Sequence, residues 1–247
     1  MARKQIRNTE TNPIQPAEKQ RTHQSLRLRL DDLKTVDPLT ENQKKFFDLY
    51  NQDIQAFVLC GSPGTGKTFL SMYKALESVL EKSTVYDQLI IIRNAIPTTE
   101  IGHLPGDLSA KNAAYEEPYQ QICADLFGRG DAYSRLKEQK HLEFVNASYL
   151  RGMTFDNSIV FFEEFQNANW HVIKSVISRL GVESKLILSG DHKQTDLTRK
   201  HGQSGFFELL QVAQEMKEFV VIKFTTDDII RSAFTKNFII ACEKLDL

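Results

Sequence analysis

Lys67 and Thr68, Glu163 and Glu164, Gln194 and Arg231 are the residues in this sequence whose types and placement suit phosphate chemistry. The first two close the stretch Gly61-Ser62-Pro63-Gly64-Thr65-Gly66-Lys67-Thr68, which fits the spacing G-x-x-x-x-G-K-[ST]. Glycines at these steps let a backbone fold back with its N–H groups pointing inward and no Cβ in the way. A lysine at the seventh position supplies a compact positive charge for nucleotide β- and γ-phosphates, and the following hydroxyl offers a ligand to Mg²⁺. Every residue from Gly61 to Thr68 is therefore a candidate nucleotide contact.

A hydrolytic phosphate site also needs a carboxylate at the end of a buried strand to hold the metal, and a second one to polarise water. Ile159-Val160-Phe161-Phe162-Glu163-Glu164 offers both at the mouth of the most apolar run in the chain. Glu163 is assigned to Mg²⁺ and Glu164 to the attacking water; the bland alternative is a pair of solvated glutamates where the strand exits. Leu186-Ile187-Leu188-Ser189-Gly190-Asp191-His192-Lys193-Gln194 repeats the pattern of a buried strand tipped with polar groups. Gln194 is placed to hydrogen-bond a γ-phosphate or the water, or else is a loop amide facing solvent. Asp191 reads as a turn or capping residue and His192 as structural. Thr40 and Gln43 have the spacing of a capping box, while the Gln43 carboxamide equally suits an adenine edge, which both donates and accepts.

These groups need elements to carry them. Ala56–Cys60 is a short buried-type strand, and Phe69, Leu70, Met72, Tyr73, Leu76, Val79 and Leu80 then recur at helical spacing, which sets a helix N-terminus under the phosphates. Further strands are expected at Leu26–Leu30, 88–93, 142–145, 158–162, 185–189 and 219–224. Helices are expected from Thr40, near 109–127, from Trp170 to Leu180 with Asn167 or Asn169 as cap, from 206 to 216, and over 227–245. The segment Ile101–Asp107 reads as turns. Strands alternating with helices imply an α/β fold, a mainly parallel sheet with helices on both faces and its ligand beyond the strand carboxyl ends.

With 247 residues, 41% of them hydrophobic, 26% charged and a net charge of −1, the chain reads as one ordinary soluble domain over 25–247. Nothing in that balance draws it toward nucleic acid or a membrane as a whole. Residues 1–24 are polar and locally basic, a flexible arm or one that touches nucleic acid or a neighbouring subunit. Cys60, Cys123 and Cys242 have neither metal nor disulfide spacing, as suits a reducing cytoplasm. No apolar run has the length of a membrane span.

Four stretches, Thr40–Gln43, the phosphate loop, Phe162-Glu163-Glu164-Phe165-Gln166-Asn167 and Ser189–Gln194, stand in the order seen in superfamily 1 helicases. With Ile92-Arg93-Asn94-Ala95-Ile96-Pro97, Ile101–Leu108, Tyr149–Thr154 and Asp227–Arg231, the chain more closely resembles the PhoH family of phosphate-starvation-inducible ATPases, phage members included. That resemblance implies a single RecA-like core, ATP as ligand and a ring-shaped homo-oligomer. The family usually has Asp-Glu-Ala-Gln-Asn where this chain has Glu163-Glu164-Phe165-Gln166-Asn167, and often histidine where it has Ser232. The chain has room for one nucleotide-binding core where a helicase uses two, so a second face must come from another subunit. Arg231, expected at the start of the terminal helix, is the candidate to neutralise charge on the transferred phosphate, in cis or in trans; its alternative is a surface pairing with Asp227 or Asp228. Arg151 is a second candidate for a phosphate or nucleic-acid contact. The expected activity is Mg²⁺-dependent ATP hydrolysis coupled to single-stranded RNA or DNA. A nucleotide-gated scaffold with negligible turnover is the rival, and phosphotransfer to a small molecule a third reading.

Overall fold

The apolar runs pair into one sheet. In the computed structural model, which describes residues 27–94, 108–194 and 203–245 (side chains of 108–113 excepted), β1 (Ala56–Gly61), β2 (Gln88–Arg93), β3 (Leu142–Asn146), β4 (Ser158–Glu163), β5 (Lys185–Gly190) and β6 (Phe219–Phe224) lie in the order β3-β2-β4-β5-β1-β6. Each ladder is parallel, so the sheet is more uniform than the mainly parallel one expected. β4 and β5 are buried along their whole length, as a sheet covered on both faces requires.

Alternation along the strands sorts side chains between two cores. Phe57, Leu59, Leu89, Ile91, Ile159 and Phe161 face α1 (Glu41–Tyr50), α2 (Lys67–Leu80), α3 (Leu108–Phe127) and α4 (Ala132–Glu138). Val58, Cys60, Ile90, Ile92, Val160 and Phe162 face α5 (Trp170–Ile177) and α6 (Phe206–Glu215). Continuing the count, Arg93 and Glu163 fall on the α2–α3 face, and the two are register partners at the ends of β2 and β4. β5 stands between β1 and β4, and the carboxyl ends of these three central strands open to one side. This is an α/β architecture, one parallel sheet with helices on both faces.

Some expected elements differ. No strand covers Leu28–Leu30: the chain bends at Arg27 and makes a 3-10 turn over Leu30–Asp32, while Leu26 lies outside the described residues. Leu28 is buried nonetheless, and the Gln139 amide, with its O and N assigned so that both are satisfied, donates to its carbonyl (3.3 Å) and accepts from its N–H (2.8 Å) in place of a neighbouring strand. α5 ends at Ile177, and Leu180 instead bridges to Phe155. Of the two cap candidates, Asn169 is used, its side chain accepting from Val172 N at 3.0 Å. α4 had no counterpart in the sequence reading; Asp131 organises its start by pairing with Arg129 and Arg135. The terminal helix, α7 (Ala233–Leu245), begins later than expected. Asp228 accepts from Thr225 N and Asn42 Nδ2, both at 2.8 Å, and locks residues 226–228 into a 3-10 turn. The basic arm of 1–24 and the turn segment Ile101–Asp107 fall outside the described residues.

At the opposite end of the sheet Lys185 opens β5 with its ammonium buried, donating to Tyr50 O (3.0 Å) and lying 4.4 Å from the Tyr50 ring centre. Burial draws its pKa down to about 8, with Asp53 opposing. A depressed folded value means that holding the charge costs stability. That cost is full below pH 8 and fades as pH rises toward the ordinary lysine value. Lys185→Met is expected to flatten the rise in unfolding free energy between pH 8 and 10, and to stabilise the protein at pH 7 by about 1–2 kcal/mol, the partial solvent contact discounting the full shift. Urea denaturation across that pH range measures both.

Candidate active site

The strand-to-helix bend at β1–α2 is built from outside inward. Gly61 ends β1 with φ +118°, and a Cβ there would sit 1.9 Å from Phe224 O, so β6 packs against the loop only because residue 61 is glycine. Gly64 and Gly66 are left-handed, at φ +72° and +85°. The outward carbonyls are taken by the protein: Gln43 Nε2 donates to Thr65 O (2.9 Å) and Ile230 N to Gly64 O (3.1 Å). With these carbonyls held by the protein, the N–H groups of Gly64, Thr65, Gly66, Lys67 and Thr68 meet no backbone acceptor among the described residues, and the loop forms a cradle where it enters α2. Such a cradle over a helix N-terminus attracts anions.

Lys67, buried, curls back over this cradle and donates to Gly61 O (2.8 Å) and Ser62 O (2.7 Å), with Thr65 Oγ1 at 3.4 Å. Burial lowers its pKa, opposed by Asp191 and Glu164. Thr68, in the first turn of α2, donates to Glu163 Oε1 at 2.6 Å across 95 residues of sequence. The loop and the acid expected from sequence therefore meet. Glu164 takes a left-handed conformation (φ 52°, ψ 39°), which costs a non-glycine residue about 1 kcal/mol and turns its side chain out of the strand's alternation into the cleft. Burial raises its pKa, the Glu163 charge adds to the rise, and a hydrogen bond from Gln166 Nε2 opposes them.

A cleft of about 530 Å³, a volume within the range of small-molecule sites, brings most of these groups together, whereas Glu163 is buried and meets the cleft wall through Thr68. Lys67, Thr68, Glu164 and Gln194 line it, as do Pro63 to Gly66, and Val36, Leu39, Phe69, Ile122 and Ile230 form an apolar wall at its margin. Arg231 lines it too, its side chain lying against Gly64 of the same chain. Its place ahead of α7 corrects the expected helix start, and no ion pair with Asp227 or Asp228 forms among the described residues. Gly61 and Ser62 stand behind the cradle rather than on the cleft wall; the Ser62 hydroxyl donates to Glu243 of α7 at 2.6 Å. Gln43 is buried, its Oε1 accepting from Leu39 N (2.7 Å), so the reach-back of the capping pair lands one residue before the cap. Gln43 also lines the cleft, and with its amide engaged at both ends it ties α1 to the loop. Arg151 is exposed in a turn and lines no part of the cleft.

Groups around the acid pair complete the site. Gln166, fully buried, accepts from Asp191 N (3.1 Å) and donates to Gln194 O (3.2 Å), which joins the two polar strand ends. Gly190 makes room for it, since a Cβ there would lie 2.4 Å from Gln166 Oε1 and 2.9 Å from the Phe165 ring. Phe165, where the resembled family has alanine, is fully buried and stacks on Phe206 at 4.9 Å. Asp191 is buried on the cleft wall and also accepts from Lys193 N (3.1 Å), the turn role expected of it. Tyr119 of α3 donates to Glu163 Oε2, and Arg93 contacts Tyr119. The only sequence signal for Gln166 was its place beside the acid pair, and Tyr119 had none.

The donor set fits Mg²⁺. Thr68 and Glu163 present oxygen atoms only, close together and beside the phosphate cradle, which matches an ion held by one or two protein oxygens with phosphates and water completing its shell.

The family model described as PhoH-like protein matches residues 35–243. A PhoH-like protein of Mycobacterium leprae is 30% identical over 80% of this chain and 56% of its own length. One from Bacillus subtilis is 32% identical over 85% of this chain and 65% of its own. The chain thus spans between about half and two thirds of the relatives it matches. Among solved structures, the crystal structure of Pif1 helicase from Candida albicans aligns with a TM-score of 0.40 and 14% identity, covering 85% of this chain and 44% of that one.

Proposed function

The chain belongs to the PhoH-like protein family, and from that premise we propose that it binds ATP with Mg²⁺ at the β1–α2 loop and hydrolyses it. The observation that carries the reading is the 2.6 Å contact between Thr68 and Glu163, which brings the end of the phosphate loop and the end of β4 to one point, with Glu164 and Lys67 on the same cleft. The loop N–H groups receive the β- and γ-phosphates. Lys67 leaves the Gly61 and Ser62 carbonyls for the phosphates, exchanging two dipoles for full negative charge. Thr68 and Glu163 would hold the metal ion, which when bound would supply positive charge against the phosphate oxygens. Glu164 orients and deprotonates water, Gln194 contacts that water or the γ-phosphate, and Arg231 acts in cis on charge developing at the transferred group.

The finer reading is a homo-oligomer acting in the cytoplasm on single-stranded RNA or DNA. It is supported by the order of the helicase-like motifs and by the basic residues of positions 1–24. No helix among the described residues is long and apolar enough to cross a membrane. Phosphate release by the purified protein with Mg²⁺ and ATP, titrated with each polymer across a salt series, tests it. Basal hydrolysis is expected, with a stimulation that falls at least about tenfold between roughly 50 and 200 mM salt. Retained ATP binding and nucleotide-dependent assembly without any phosphate release would replace it with the scaffold reading.

A further inference from the structure

We propose that Tyr119 is the positioning residue for the Glu163 carboxylate, holding one of its oxygens so that the other is presented to Thr68 and the metal, with Arg93 holding Tyr119 in turn. This inference rests on the metal–nucleotide reading above.

Parity and register set up the arrangement. Arg93 and Glu163 end neighbouring parallel strands as register partners, and both project to the face covered by α2 and α3. Thr68 reaches Glu163 from α2 and Tyr119 reaches it from α3. Each carboxylate oxygen therefore has its own hydroxyl donor: Oε1 accepts from Thr68, on the cleft side, and Oε2 from Tyr119, on the core side. The two donors are not equivalent. Thr68 is only partly buried at the cleft, whereas Tyr119 is fully buried, its ring 5.9 Å from that of Phe144. Pro118, inside α3, removes one helical N–H immediately ahead of Tyr119. Arg93 hydrogen-bonds Tyr119 and lies 5.7 Å from the Tyr115 ring, so the phenol is held from a second strand.

The chemistry explains why such a holder is needed here. A glutamate has one more rotatable bond than the aspartate of the resembled motif and reaches about 1.5 Å further. Unrestrained, it would sample positions in which neither oxygen serves an octahedral ion with short, strict bonds. A fixed hydroxyl on the far oxygen removes that freedom and leaves a single oxygen to act at the cleft. Partners of this kind fix ligand orientation at metal sites.

The test is a double-mutant cycle of Tyr119→Phe and Glu163→Asp, read by the affinity of Mn²⁺ in the presence of a non-hydrolysable ATP analogue, from the electron paramagnetic resonance of free Mn²⁺. Nucleotide affinity without metal and the thermal midpoint are measured alongside. Tyr119→Phe is expected to weaken Mn²⁺ binding about tenfold or more, to leave metal-free nucleotide affinity within about twofold, and to have little effect once Glu163→Asp has withdrawn the carboxylate from the phenol. Wild-type Mn²⁺ affinity in Tyr119→Phe, or the same loss in both backgrounds, overturns the positioning role while leaving the ATPase reading intact. A wild-type protein that takes up no Mn²⁺ with the nucleotide analogue overturns both.

Discussion

Lys67→Ala is expected to reduce ATP affinity and hydrolysis by about a hundred- to a thousandfold or more, with little change in thermal stability. The lysine is the only cation of the loop itself, it lines the cleft, and its ammonium donates to the carbonyls of Gly61 and Ser62. Removing it takes away a fixed charge aimed at the phosphates in a partly dehydrated site, the kind of group whose loss costs two to three orders of magnitude. The fold does not depend on it to the same degree. Gly61 and Ser62, whose carbonyls it leaves, line a separate cleft on the other side of the loop, from which water replaces the ammonium, and the loop keeps its outer ties to Gln43 and Ile230. Titration with a fluorescent ATP analogue and a melting curve separate the two effects. Undiminished affinity with a wild-type melting curve would show that the cradle is not the nucleotide site.

Glu164→Gln is expected to act in the opposite manner on binding: ATP is held as in the wild type, while phosphate release falls about a hundred- to ten-thousandfold. The substitution keeps the size and shape of a side chain that its left-handed backbone turns into the cleft. It removes the one thing a base needs, an oxygen that can take a proton. It also removes a carboxylate whose charge is disfavoured by burial and by Glu163, so the variant is expected to melt at the wild-type temperature or slightly above. Solution mass with and without ATP then shows whether assembly follows binding or cleavage. If hydrolysis survives in Glu164→Gln, the acid that activates water lies elsewhere, and buried Asp191 on the same cleft wall becomes the candidate.

Much of this centre was legible in the sequence because it is local. The loop, its flanking strand and helix, the Thr40 cap and the acids at the end of β4 each rest on neighbours within a few residues: spacing, capping chemistry and apolar runs. The same locality explains the errors. Leu26–Leu30 alternates as a strand does, yet at Leu28 the backbone pairs with a side-chain amide, a partner that periodicity cannot register. Helical spacing from 227 onward was real, but Asp228 engages Thr225 and Asn42 and holds the first residues in a tight turn. That displacement of α7 sets Arg231 free of the helix and lays it on Gly64.

The sequence by itself determined that a glycine-rich strand-to-helix loop follows a buried strand, that two carboxylates end another, and that an all-around apolar set of strands must be covered by helices. These follow from backbone sterics, side-chain chemistry and the burial of apolar surface, which act over one or two turns of chain. Only the tertiary structure decided which groups share the centre. Strand order puts β5 between β1 and β4, register sets Arg93 beside Glu163, and strand parity turns both toward α2 and α3. From that packing come Thr68 on one oxygen of Glu163 and Tyr119 on the other, joined over 95 and 44 residues of sequence. Contacts so distant along the chain leave no periodic trace, because what selects them is the mutual packing of whole elements.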